Sequence, residues 1–306
     1  MRDRSGDGQR EDPQDRQPGS AQEYERIIIT GCGILGACVK EVFPGAISVD
    51  RSSKTRNHRN VDMTDPAAMS ALLGELRPEV IIHTAAMTNV DACEQRQDEA
   101  RRANVEATAW LCRWAVKHHA RLVFISTDYV FDGEQGAYKE TDDVRPLSVY
   151  AKTKVEAEAS VRALLPESQY LIFRVSATIS PYGRDWMLEA LREGKPIQAT
   201  DEIVTPTYAP DAAESIRIAL QNQLSGTYHL ATSSSLTRYA LARKLAAAFN
   251  YPTNSISEVS GEIFWAGKAQ RPKNSSLDTT KALKQGLIIR STDEVLADYT
   301  ARVQGR

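Results

Sequence analysis

The sequence predicts an α/β protein, a doubly wound parallel sheet followed by a smaller mixed α/β C-terminal region. Three observations carry this reading. Short apolar runs, Ile27-Ile28-Ile29, Val80-Ile81-Ile82, Leu122-Val123-Phe124-Ile125 and Tyr170-Leu171-Ile172-Phe173, suit strands covered on both faces. Segments of helical period separate them, as crossover connections between parallel strands require. A glycine-rich turn, Gly31-Cys32-Gly33-Ile34-Leu35-Gly36, follows the first run at once.

With 306 residues, 42% hydrophobic and 25% charged, the chain can build one large or two modest cores. A formal net charge of −2 and a pI near 6.3 supply no basic footprint for nucleic acid. Cys32, Cys38, Cys93 and Cys112 form no CxxC pair and share no metal-type spacing with histidine, so neither a metal site nor a disulfide framework is expected. No apolar run approaches the ~20 residues of a membrane span and no leader-like h-region opens the chain, so a cytoplasmic protein without a membrane partner is expected.

Residues 1–25, rich in Asp, Arg, Gln, Gly and Pro, read as a disordered extension. The first strand and its glycine turn come next. Glycines at this spacing allow a sharp turn, bring backbone N–H groups against a pyrophosphate, and let the next helix pack closely with its positive end toward the anion. A second strand, Ala46-Ile47-Ser48-Val49, ends in Asp50, 19 residues after Gly31, where a carboxylate can accept hydrogen bonds from an adenosine ribose. Together they predict a Rossmann-type NAD(P)-binding domain over 26–175, with Gly31, Gly33, Ile34, Leu35, Gly36 and Asp50 around the dinucleotide. Asp50 favours NAD; Arg51, Lys54, Arg56 and Arg59 follow closely and any of them could hold a 2′-phosphate, which leaves NAD and NADP both open.

Asp65-Pro66 is a cap followed by proline at the first helical position, predicting a helix to about Leu76. The third strand exits into small side chains, Thr84-Ala85-Ala86-Met87-Thr88. A long helical pattern then runs from Asp91 to His119, with Trp110 and Trp114 one turn apart on a core or subunit-interface face. The fourth strand delivers Ser126-Thr127-Asp128-Tyr129 to its carboxyl end, the edge where doubly wound sheets bind ligands. Tyr150 and Lys154, four residues apart, share one helical face, where an ammonium stabilises phenolate and lowers the tyrosine pKa. Beyond the fifth strand, residues 176–306 form mainly the smaller region, with some segments returning to the first domain. Pro210-Asp211 opens a helix, Gly226–Leu230 reads as a strand, Thr237–Phe249 as an amphipathic helix, and Ser291-x-x-Glu294 as a capping box.

The glycine turn, Ser126-Thr127-Asp128-Tyr129-Val130-Phe131-Asp132-Gly133 and Tyr150-x-x-x-Lys154 together resemble extended short-chain dehydrogenase/reductases. Thr205-Pro206-Thr207 and Arg271-Pro272-Lys273-Asn274-Ser275-Ser276-Leu277-Asp278 bring the chain closest to the dTDP-4-dehydrorhamnose reductase subfamily. The resemblance implies NAD(P)H-dependent reduction of the 4-keto group of a nucleotide-activated deoxysugar. In it Tyr150 protonates the carbonyl oxygen, Lys154 tunes the tyrosine and holds the nicotinamide ribose, and Thr127 hydrogen-bonds the same carbonyl. It places adenine near Asp62 and Met63, the cofactor's crossing near Ala85, Ala86 and Thr88, and the substrate beside Asp128 and Tyr129. It also implies a homodimer through the Trp110 and Tyr150 helices, while Arg271, by its own chemistry, could hold a nucleotide-sugar diphosphate by a bidentate contact or make a structural salt bridge. One departure stands out: after the fifth strand the subfamily continues with Ser, an aromatic Trp and a Tyr-Gly step, whereas Ser176-Ala177-Thr178 lacks the aromatic, which Trp186 is positioned in sequence to replace. The regulatory β subunit of methionine adenosyltransferase shares the family, so a cofactor-binding subunit without turnover is an alternative, as is a nucleotide-sugar epimerase or dehydratase using the same hydride site.

Overall fold

The computed structural model describes residue 24 and residues 26–51, 57–182 and 186–305. Among the described residues eleven strands follow in order: β1 Ile27–Thr30, β2 Ile47–Asp50, β3 His58–Asn60, β4 Val80–His83, β5 Arg121–Thr127, β6 Tyr170–Val175, β7 Ile197–Thr200, β8 Ile203–Val204, β9 Gly226–Leu230, β10 Leu236–Thr237 and β11 Ile256–Val259. Seven form one sheet in the order β3-β2-β1-β4-β5-β6-β9. Every neighbouring pair in it is parallel.

Alternation along the strands builds two cores, one on each face of the sheet. Ile27, Ile29, Val80, Ile82, Val123 and Phe173 point to one side, against helix residues Val39, Ala212 and Ile216. Ile28, Ile81, Leu122, Phe124 and Ile172 point to the other, against Leu73, Leu111 and Val161. Strands with runs of consecutive apolar residues, such as Ile27–Ile29, Val80–Ile82 and Leu122–Ile125, bury both faces in such a doubly covered sheet. Beyond β6, two small sheets, β7 with β11 and β8 with β10, pack around a third core that includes Leu188, Leu241, Leu245, Val295 and Tyr299. β9 leaves this region and pairs with β6 in the main sheet.

Local chemistry sets most boundaries. Asp65 accepts from the Ala67 and Ala68 amides at 3.0 and 3.1 Å, Pro66 starts the helix Pro66–Leu76, and the helix stops at Arg77 in the left-handed region. Ser291 and Glu294 form the reciprocal capping box of the helix Thr292–Gln304.

Three expectations change. The pattern read as one helix from Asp91 to His119 is broken into Val90–Gln95, Gln97–Arg101, a π-helical turn Arg102–Glu106 and Ala107–His118. The wide turn carries Asn104 inward, where its side chain holds both the N–H and the C=O of Met87, at 2.8 and 3.1 Å, and donates to Thr153 Oγ1 at 2.9 Å. Those three bonds offset the poorer helical geometry. Second, part of the basic segment after Asp50 is the edge strand β3, whose polar His-Arg-Asn sequence has none of the apolar signature of a strand; Lys54 and Arg56 lie outside the described residues. Third, Tyr24, assigned to the extension, packs against the first core and accepts a hydrogen bond from Arg121 at 3.0 Å. The remainder of that extension lies outside the described residues. Trp114 is buried and Trp110 packs against the same layer. No helix among the described residues is long and apolar enough to cross a membrane.

Candidate active site

The glycine turn is built by close approach. Gly31 has φ +88°, and a Cβ there would lie 2.7 Å from the backbone of Ala85; a Cβ on Gly36 would lie 2.1 Å from the Gly31 carbonyl oxygen. Gly33 is different, since nothing stands within 4 Å of the place its Cβ would take. It is the cap residue of the helix Ile34–Val42, which no side chain caps. The first amides of that helix and their positive dipole therefore face open space, a fit for the diphosphate of a dinucleotide. Asp50 sits at the end of β2, its two oxygens accepting from the amides of Cys32 at 2.7 Å and Arg51 at 2.6 Å. Each oxygen keeps a lone pair for a ribose hydroxyl.

From this turn a cavity of about 970 Å³ runs along the carboxyl ends of the strands. Gly31, Gly33, Ile34, Leu35 and Gly36 form one end of its wall, with Asp50 and Arg51. Asp62 and Met63, and on the β4 exit Ala85, Ala86 and Thr88, line it too. Thr127, Asp128, Tyr129, Tyr150 and Lys154 line it as well, joined by Arg238.

Thr127 ends β5, and its hydroxyl lies near enough to Tyr150 to draw the phenol's pKa down. Tyr150 lies in the first turn of the helix Val149–Leu164, which Ser148 caps by accepting from the Ala151 amide at 3.3 Å. Lys154, one turn further, is buried and donates to the Ile125 carbonyl at 2.7 Å, with its Nζ 4.0 Å from the Phe124 ring centre. Burial pulls the ammonium down to about 7, against the opposing charge of Glu158.

Here the electrostatic expectation is corrected. Tyr150 is not acidified by Lys154: burial raises its pKa, outweighing the pull of the Thr127 hydroxyl, and the charges of Asp128 and its neighbours raise it further. The ammonium turns to a main-chain carbonyl instead of the phenol. Tyr150 is consequently a protonated phenol at neutral pH, a donor awaiting a basic oxygen.

Asp128 is fully enclosed. Its Oδ2 accepts from Ser176 and Ser275, both at 2.6 Å, and its Oδ1 from Thr127 at 3.1 Å. Burial nonetheless pushes its pKa up. Tyr129 meets Tyr150 edge-on, ring centres 6.3 Å apart, and its hydroxyl accepts from Arg238 at 3.1 Å.

A family model described as the RmlD substrate binding domain matches residues 25–304. The chain belongs to the RmlD substrate-binding-domain family. Among its relatives, a dTDP-4-dehydrorhamnose reductase from Aggregatibacter actinomycetemcomitans is 33% identical over 88% of this chain and 95% of its own. A methionine adenosyltransferase 2 subunit beta from Danio rerio is 30% identical over 88% and 87%. A crystal structure of dTDP-4-dehydrorhamnose reductase from Bacillus anthracis in complex with NADP superposes with a TM-score of 0.82 at 30% identity, covering 90% of this chain and 99% of that one.

Within this RmlD-family chain, two residues expected at the substrate lie elsewhere. Arg271 makes a bidentate pair with Asp91, at 2.7 and 2.8 Å, and stacks 3.9 Å from the Trp265 ring; it is absent from the cavity wall. The terminal edge of this guanidinium is taken by Asp91 and one face by Trp265. Trp186 is 59% exposed and also outside the wall, so it does not replace the missing aromatic. Ala177 does line the cavity, with φ +26°, a left-handed backbone that costs an L-residue on the order of 1 kcal/mol. Residues 183–185, between Ala177 and Trp186, lie outside the described residues. Arg238, Ser176 and Ser275 also belong to the site, and nothing in their local sequence marks them for it. Ser275 falls inside the Arg271–Asp278 signature but carries no local mark of its task, and Arg238 reads as an ordinary solvated charge at the start of an alanine-rich helix.

Proposed function

We propose that this protein reduces the 4-keto group of a nucleotide-activated deoxysugar, dTDP-linked as its relatives' names indicate, with NADP(H) or NAD(H) as the redox partner. The observation that carries the reading is that Thr127, Tyr150 and Lys154 line the same cavity as a glycine turn whose helix no side chain caps. The nicotinamide, when bound, supplies the hydride. Tyr150 supplies the proton: as a phenol held protonated by burial, it donates to the carbonyl oxygen as negative charge develops there. Thr127 turns its hydroxyl to the same oxygen, and Lys154, while protonated, adds a positive charge from the neighbouring turn. Asp128, anchored by two serines, orients Thr127. Asp50 and Arg51 meet the adenosine ribose side by side, the carboxylate suited to a free 2′-hydroxyl and the guanidinium to a 2′-phosphate.

The test is turnover. With a dTDP-4-keto-6-deoxyhexose, the protein should oxidise NADPH or NADH and release the 4-hydroxy sugar. Cofactor binding with no oxidation on any such sugar would overturn the reading.

A second reading is a cofactor-binding regulatory subunit, favoured by the 30% identity to methionine adenosyltransferase 2 subunit beta. Its mark would be a stoichiometric complex with a methionine adenosyltransferase, seen by size-exclusion chromatography with light scattering. Solved dTDP-glucose 4,6-dehydratases and a UDP-glucose 4-epimerase share the fold at 16–21% identity, a likeness of architecture alone. The carboxylate a dehydratase would need beside Tyr150 is Asp128, which is occupied by three hydroxyls.

A further inference from the structure

Arg271 is paired with Asp91 and absent from the cavity wall, so the anionic part of a nucleotide sugar falls to the cations that line it, Arg51, Arg96, Arg102, Lys154 and Arg238, of which Arg238 hydrogen-bonds the tyrosine whose ring meets Tyr150. We propose that Arg238 holds the diphosphate of the activated sugar. The assignment rests on the substrate class proposed above and goes beyond it by naming the residue that selects for that class.

Four observations carry it. Arg238 lines the cavity together with Thr127, Asp128, Tyr129 and Tyr150. Its Nη2 donates to the Tyr129 hydroxyl at 3.1 Å, and its Nε stands 3.8 Å from Glu202 Oε2. Glu202 is otherwise engaged, accepting from Thr200 and, at 2.5 Å, from the Trp265 indole. The guanidinium is thus aimed by two partners while its Nη1 makes no hydrogen bond among the described residues. A planar fork with one edge fixed and the other open is the geometry that takes two phosphate oxygens at once. The competing carboxylate, Asp128, is withheld because Ser176 and Ser275 occupy its Oδ2. Finally, Tyr129 spans the gap: its ring meets Tyr150 at 6.3 Å while its hydroxyl meets Arg238, so a sugar whose keto group faces Tyr150 directs its anomeric phosphate toward the guanidinium.

The experiment is calorimetric titration of the full chain, saturated with NADPH, using dTDP and UDP as probes and thymidine and uridine as controls without phosphate. The wild type should bind the diphosphates far more tightly than the nucleosides. Arg238→Gln should weaken diphosphate binding by about ten- to a hundredfold and leave nucleoside and NADPH binding unchanged, the signature of a lost charge-assisted contact. Should the glutamine variant melt early, Arg238→Lys decides: a point charge cannot make the paired contacts, so its diphosphate affinity should fall several-fold. Unchanged diphosphate affinity in the folded variant, or a wild type that binds diphosphates no better than nucleosides, overturns the assignment. Arg238-dependent binding without ketoreductase turnover would instead remove the proposed reaction and leave this site standing.

Discussion

Burial holds the Lys154 ammonium near a pKa of 7, and this makes the residue the natural pH sensor of the site. The sign follows from its charge: the cation is present below that value and lost above it. Since kcat/KM reports the free enzyme, it should decline along an alkaline limb that begins near pH 7, measured from about pH 5.5 to about 9. A flat profile would mean that the cation is dispensable. Tyr150 makes a second prediction at this scale. Tyr150→Phe removes one hydroxyl from a cavity wall and should cost ~10² to 10⁴ in turnover, with NADPH affinity and melting temperature nearly unchanged. Full activity in that variant would exclude the phenol as the proton donor.

Elements matter through where they end. The helix Ile34–Val42 begins in a turn whose three glycines serve two different purposes, and alanine substitution separates them. Gly36→Ala forces a Cβ to 2.1 Å from a carbonyl oxygen, so it should destabilise the fold, seen as a clear drop in melting temperature. Gly33→Ala meets nothing in the protein and its φ of −70° suits alanine, so the melting temperature should hold. Its methyl would nonetheless stand where a phosphate must approach, and NADPH affinity should fall by about tenfold or more. Equal NADPH binding by wild type and Gly33→Ala would show that the dinucleotide does not lie over this turn. The π-helical turn around Asn104 has a comparable function on the other side of the site, since it clamps the Met87 loop and the Tyr150 helix through a single buried amide.

For the molecule as a whole, two buried histidines set an acid limit. His83 lies between Thr30 and Thr108, at 2.7 and 2.9 Å, and His229 between the Asp278 carbonyl and Arg174. Burial first, then the neighbouring positive charges of Lys154 and Arg174, lower both to about 3. The unfolded chain, with an ordinary histidine pKa near 6.5, binds these protons earlier than the folded one. Stability is therefore fully present above about 6.5 and is lost progressively as the pH falls toward about 3. Thermal melts between about pH 7 and about 4 should show a steady fall, and His83→Gln, which can keep both threonine bonds, should flatten part of it. A melting temperature independent of pH over that range would contradict the assignment.

What the sequence determined by itself is what neighbours along the chain can encode. The apolar runs forced a doubly covered parallel sheet, the glycine spacing forced a tight turn into a helix, caps at Asp65 and Ser291 set helix ends, and the spacing from Tyr150 to Lys154 put both on one face of a helix. Residues assigned to the cofactor and to catalysis accordingly meet in one cavity. The π-helical break at Asn104 was illegible because its cause is a loop 17 residues away, and β3 because an edge strand can be polar. Only the tertiary structure decided the partners of the long charged side chains. Arg271 finds Asp91 across 180 residues, Arg238 finds Tyr129 across 109, and Lys154 donates to the Ile125 carbonyl of β5 across 29. A flexible side chain settles where burial and opposite charge are strongest, and that field is summed over segments that become neighbours only when the chain folds.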